Sequence, residues 1–136
     1  MKIFLIETHG VLRVALAMNF AEMGYQVVGE AADLDQADQA MAAARPHLCV
    51  IGVSGFGEAE SHRLAHHLNC RHGVASLLLT DQYAPACPQV SGVVGCLIVP
   101  AVFESFRHVM RLVEDHLKGR RAYPIPACLS LSQRQA

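Results

Sequence analysis

Short apolar runs and longer half-apolar stretches take turns along this chain. Lys2–Ile6 is an apolar run that gives way to polar residues, which predicts a buried strand. From Val11 to Met23, the positions Leu12, Ala15, Leu16, Asn19, Phe20 and Met23 recur mostly at spacings of three and four. That spacing predicts an amphipathic helix, closed by Gly24. Tyr25–Glu30, with Val27 and Val28, predicts a second strand. Asp33 is placed to cap a second helix whose inner face carries Ala37, Ala40, Met41 and Ala44, and Pro46 stops it. His47–Ile51 predicts a third strand, followed by a glycine-containing loop from Gly52 to Gly57. Glu58–Leu68 predicts a third helix with Leu64, Ala65 and Leu68 inward, and Val74–Leu79 a fourth strand.

The rhythm then breaks. Tyr83–Val90 holds Pro85 and Pro88, which are poor helix-interior residues, so a fourth helix is expected to be short, irregular or absent. Gly95–Val99 predicts a fifth strand that ends at Pro100. Phe103, Phe106, Val109, Met110, Val113 and Leu117 mark a strongly amphipathic last helix. Beyond Gly119 no helical period remains, and the segment reads as a linker or tail. Five strand–helix units with continuous apolar strands imply a central five-stranded parallel sheet covered on both faces. Right-handed crossovers make this a three-layer, doubly wound α/β domain. Ligands of such sheets sit at the carboxyl ends of the strands, beside the switch in strand order. Glu7, Thr8, Gly52, Thr80 and Val99 are therefore the residues to question.

Composition narrows the function classes. The chain has 136 residues, 52% of them apolar and 17% charged, with a net charge of −1. That suits one domain with a core of its own and excludes a disordered tail. It offers no basic field for nucleic acid. The longest apolar stretch, Gly92 to Phe103, is interrupted by Pro100 and falls short of the roughly 20 residues a bilayer requires. Glu7 and His9 follow the first apolar run, so no signal-peptide core is expected. The five cysteines, Cys49, Cys70, Cys87, Cys96 and Cys128, are scattered and contain no CxxC. Free thiols in a cytoplasmic protein are the expectation, with Cys49 and Cys96 as small core residues.

Four ordered segments carry a resemblance. ETHGVLRVAL (Glu7 to Leu16) looks like an acidic-acidic-His segment before a Val-Leu-Arg helix start. YQVVGEAADLDQADQAMAAARPHLCVIGVS (Tyr25 to Ser54) spans the second and third strands. SLLLT ends on the hydroxyl of Thr80, and GCLIVP (Gly95 to Pro100) looks like a Gly-aromatic-Leu-x-Lys-Pro segment. Over residues 1–118 the chain thus resembles a response-regulator receiver domain of the NarL/LuxR type, which implies a flavodoxin-like (βα)5 fold. The family transfers a phosphoryl group to an aspartate after the third strand, with an acidic pair holding Mg²⁺, a hydroxyl and a lysine. Such transfer rests on positioning and on neutralising the equatorial oxygens.

Here the acceptor position is Gly52, which has no nucleophile. The acidic pair is reduced to Glu7 beside Thr8, and the lysine position is Val99. Only Thr80 matches. The resemblance therefore implies a pseudo-receiver: no catalytic residues, no cofactor and no Mg²⁺ site. It also implies a signalling face around Cys96, Pro100, Phe103 and Phe106, with Cys96 in place of the switch aromatic. LSLSQRQA, Leu129 to Ala136, resembles the start of a LuxR-type helix-turn-helix domain. Residues 119–136 then form a linker to a DNA-binding domain outside this chain. Lys118, Arg120 and Arg121 are too few charges for a DNA patch.

Eight histidines leave other possibilities to weigh. His62, His66 and Cys70 are spaced by four and share one helix face. Imidazole and thiolate suit zinc or nickel, but a solvated polar face is the plainer reading. His9 matches the family pattern. Ser54, Ser61 and Ser76 lack a nucleophile-elbow context, and Gly52, Gly55 and Gly57 are not a phosphate loop. The expectation is a non-enzymatic, phosphorylation-independent module that regulates transcription through dimerisation or a protein partner, without a membrane. The alternatives are a stand-alone adaptor, or a small-ligand or metal sensor using the vacated site or His62, His66 and Cys70.

Overall fold

A computed structural model describes residues 1–80, 92–98, 103–120 and 129–132. The apolar runs form β1 (Lys2–Ile6), β2 (Gln26–Ala31), β3 (Leu48–Gly52), β4 (Ala75–Thr80) and β5 (Val93–Ile98). Between and after them lie α1 (Gly10–Glu22), α2 (Leu34–Ala44), the one-turn α3 (Val53–Phe56), α4 (Glu58–His72) and α5 (Phe103–Leu117), with a last strand, β6 (Leu129–Leu131). The sheet order is β2-β1-β3-β4-β5-β6. The first four neighbouring pairs are parallel and β5·β6 is antiparallel.

Strand alternation divides the core into two layers. Ile3, Leu5, Leu48, Val50, Leu77 and Leu79 pack with Leu16 and Phe20 of α1 and with Phe106, Val109, Met110 and Val113 of α5. Phe4, Ile6, Cys49, Ile51 and Leu78 pack with Ala37 and Met41 of α2 and with Leu64, Ala65 and Leu68 of α4. Asp33 caps α2 as expected: its side chain accepts from Gln36 N–H at 2.9 Å. α4 runs to His72, beyond the expected Leu68, and ends on Gly73 with φ at +69°. The left-handed conformation there favours glycine.

Three expectations need correction. The sheet has six strands rather than five, because Leu129–Leu131 pairs with β5. Leu129 is buried in the same core layer as Leu112. Gly95 permits the approach, since a Cβ there would sit 2.8 Å from the Ser130 carbonyl oxygen. β6 therefore covers an edge that β5 would otherwise expose. Secondly, the loop after β3 contains α3, a single helical turn. Thirdly, α1 is apolar on most sides: Leu16 and Phe20 are buried, but Val11, Leu12, Val14 and Met18 are exposed. The expected fourth-helix region, Tyr83–Val90, lies outside the described residues, as do Cys87 and Cys128. Among the described residues no helix is long and apolar enough to cross a membrane.

Candidate functional site

The strand order reverses between β1 and β3, so their carboxyl ends frame the place where a doubly wound sheet ordinarily holds a ligand. From Ile3 and from Leu48 onward both strands are apolar and buried up to this end. The first polar groups come from the loops: Glu7 and Thr8 after β1, and the α3 turn after Gly52.

Glu7 is 2% exposed. Its N–H donates to the Ala31 carbonyl at 3.0 Å, and its carbonyl accepts from Arg13 Nη1 at 2.7 Å. Arg13 also approaches Glu30 at 3.7 Å. These contacts fix the main chain, and the carboxyl group turns inward. Oε1 accepts from His9 N–H at 3.2 Å. Oε2 occupies the space that a Cβ on Gly52 would take, and Glu7 Cδ lies 2.7 Å from that point. Thr8 repeats the arrangement. Its Oγ1 fills the place of a Cβ on Gly55, with its own Cβ and Cγ2 both 2.9 Å away.

Two side chains of the β1–α1 loop thus rest on two bare glycine backbones of the α3 turn. Gly52 has φ −78° and ψ 111°, a conformation open to any residue. Crowding by Glu7, rather than torsion, selects glycine there.

This geometry limits the chemistry. Gly52 carries no nucleophile. Mg²⁺ takes oxygen ligands in a near-octahedral shell and commonly one or two carboxylates. At the expected positions the donors are one carboxylate pressed onto Gly52 and one hydroxyl pressed onto Gly55. They do not fit a Mg²⁺ site. Thr80 ends β4 half-buried, one residue past Leu79, which pairs with Gly52. Val99 lies outside the described residues.

Of the residues expected to carry a signalling face, the two whose side chains are described, Cys96 and Phe106, are both buried. Cys96 is 6% exposed and belongs to the α2/α4 core layer, whereas Phe106 is 4% exposed and belongs to the α1/α5 layer. Pro100 and the Phe103 side chain lie outside the described residues. Burial pushes the Cys49 thiol up to about 12, so it stays protonated and inert. His62, His66 and Cys70 line up on α4, with Cys70 Sγ 3.5 Å from His66 Nε2. Among the described residues no group of three His, Cys, Asp or Glu side chains is arranged to hold a metal.

One polar cluster escaped the sequence reading. Asp38 on α2 stands between two histidines of α4: His67 Nε2 lies 2.9 and 3.0 Å from its two oxygens, and His72 Nε2 lies 2.9 Å from Oδ1. Burial alone would raise Asp38. The hydrogen bonds from His72 and His67, with their charge, outweigh it and hold the carboxyl below its ordinary 3.8. The only signal in the sequence is that α2 and α4 fall on the same face of the sheet.

No family model and no curated protein matches this sequence. Solved structures match in fold. A two-component response regulator of the LuxR family from Aurantimonas sp. SI85-9A1 is 21% identical, with a TM-score of 0.68 over 88% of this chain and 86% of that one. The signal receiver domain of the response regulator NarL from Mycobacterium tuberculosis is 19% identical, with a TM-score of 0.67 over 88% and 97%. RcsB from Salmonella enterica, bound to promoter rprA with phosphomimetic BeF3⁻, is 12% identical, with a TM-score of 0.68 over 88% and 63%. The fold is that of response-regulator receiver domains.

Proposed function

We propose that this chain is a receiver module that regulates without accepting a phosphoryl group, through dimerisation or by docking on a protein partner. The carrying observation is the Glu7 carboxyl group seated where an acceptor side chain at position 52 would begin. The loss is thus twofold: the nucleophile is gone, and its space is filled. A receiver in this condition holds one arrangement of the β1–α1 and β3–α3 loops, and its output depends on which partner binds. The transcriptional reading follows the LuxR-family, NarL and RcsB likenesses, and DNA contact would then come from a domain outside these residues. In RcsB the likeness covers 63% of the promoter-bound chain.

A second reading, a protein–protein adaptor without DNA-binding output, gains from β6. The first three residues of the segment that resembles a helix-turn-helix start, Leu129–Leu131, are a strand of the sheet in this fold. Sequencing of the reading frame past residue 136 separates the two readings.

Incubation with acetyl phosphate and Mg²⁺, followed by intact-protein mass spectrometry, tests the main proposal. No acid-labile phosphoryl adduct should form. A stoichiometric adduct would overturn it.

A further inference from the structure

The amino ends of the strands present a different surface. Because β1, β3 and β4 are parallel, Met1, Pro46 and Gly73 gather at one edge of the sheet, opposite Glu7 and Gly52. Two clefts meet there and share Pro46 and Gly73. One, of about 440 Å³, lies between the carboxyl ends of α2 and α4 and is lined by Arg45, Arg71 and His72. The other, of about 620 Å³, runs toward α5 and is lined by Met1, Ala75 and Leu117. Both volumes fall within the roughly 300–1,000 Å³ of small-molecule sites.

The trough is therefore cationic at one end and mixed at the other, where Met1, Ala75 and Leu117 stand beside His47, Glu114 and Lys118. Among the described residues neither the Arg45 nor the Arg71 guanidinium has a hydrogen-bonded or ion-paired partner. His72 donates or accepts at Nε2 toward Asp38, which orients its ring at the cleft wall. The acid of the second cleft, Glu114, is engaged by Lys118 at 3.4 Å and by the Tyr25 hydroxyl at 3.5 Å. Helix carboxyl ends repel anions, and two of them point here. Their combined partial charge is about −1, against two full positive charges on the arginines. The balance favours an anion.

Backbone conformation adds a second argument. α4 ends on Gly73 in the left-handed region, the ordinary choice. α2 ends on Arg45 in the same region, with φ at 45°, the only non-glycine residue with positive φ among those described. A strained arginine where glycine would serve the fold better points to a use for its side chain.

We propose that this trough binds a small organic phosphate. Its head would engage the guanidinium forks of Arg45 and Arg71, which match phosphate oxygens in geometry and charge. Its apolar body would cover Met1, Ala75 and Leu117. The site lies at the opposite end of the sheet from the usual receiver site, so a ligand there would not need the closed Glu7–Gly52 region.

The test uses the full chain, with inorganic phosphate and phenyl phosphate as probes, by calorimetry and amide NMR at constant ionic strength. Phenyl phosphate should bind more tightly than inorganic phosphate and should shift the amides of Gly73, Val74 and Ala75 while sparing Glu7, Thr8 and Gly52. Arg45→Gly and Arg71→Gln should each weaken binding at least tenfold, with Arg45→Gly leaving the unfolding midpoint unchanged or raised. Arg63→Gln, on the outer face of α4, should leave binding intact. Absence of saturable binding, or equal binding by the native chain and the Arg45→Gly/Arg71→Gln double variant, would overturn the proposal.

Discussion

The two ends of this sheet are built from the same strands and could hardly differ more. At the carboxyl end two glycines are covered by Glu7 and Thr8 of the neighbouring loop. At the amino end two arginines stand at the wall of a cleft, and among the described residues neither is paired with an acid. The parallel strands determine where each end lies, but they do not decide which end stays open. Side-chain length in the loops decides that. Glu7 reaches far enough to fill the space over Gly52, and nothing at Pro46 or Gly73 reaches across the cleft.

The largest effect should come from forcing the closed end. Gly52→Val places a branched side chain on the Glu7 carboxyl group and must expel it. We expect a loss of about 2 kcal/mol, within the usual cost of overpacking, read as a lower urea midpoint. A near-neutral result would show that Glu7 does not hold that space.

A smaller effect tests the polar cluster beside the open end. Asp38 carries a folded-state pKa below its ordinary 3.8. The unfolded chain therefore binds more protons in that window, and stability rises with pH there. The contribution is complete above the ordinary value and is lost as pH drops through the folded one. Its side chain is 27% exposed, so about 1 kcal/mol is the expected size. Asp38→Asn should flatten the acid limb of the stability profile below about pH 4. An unchanged limb would remove this link between α2 and α4.

The smallest effects belong to the cationic wall. Arg45→Gly should change stability by no more than about 0.5 kcal/mol, and in the favourable direction, because glycine accepts the left-handed conformation. Arg71→Gln should stay within about 0.5 kcal/mol of the native chain. A cost of 2 kcal/mol or more for either would make these arginines structural and blunt the contrast between the ends.

Much of this was legible in the residues. The five parallel strands announced themselves as apolar runs, and the buried positions of α2, α4 and α5 followed from helical spacing. The place of Gly52, where the third strand meets its loop, was legible too. β6 could not be foreseen, since Leu-Ser-Leu is too short a signal and its partner β5 is distant in sequence. The exposed apolar side of α1 was hidden for the opposite reason: its apolar residues surround the helix, so spacing does not choose a face. Nor does the sequence state a side-chain direction. That Glu7 turns onto Gly52, and that Asp38 meets His67 and His72 across 29 and 34 residues, are consequences of tertiary packing.

The central claim, that Glu7 closes the carboxyl end by occupying the space over Gly52, is most directly tested by a double-mutant cycle of Glu7→Ala and Gly52→Ala, followed by urea denaturation. Gly52→Ala should be costly beside Glu7 and much cheaper once Glu7 is truncated. A coupling of about 1 kcal/mol or more is expected for side chains in such contact. Additive costs, within about 0.3 kcal/mol, would contradict the account.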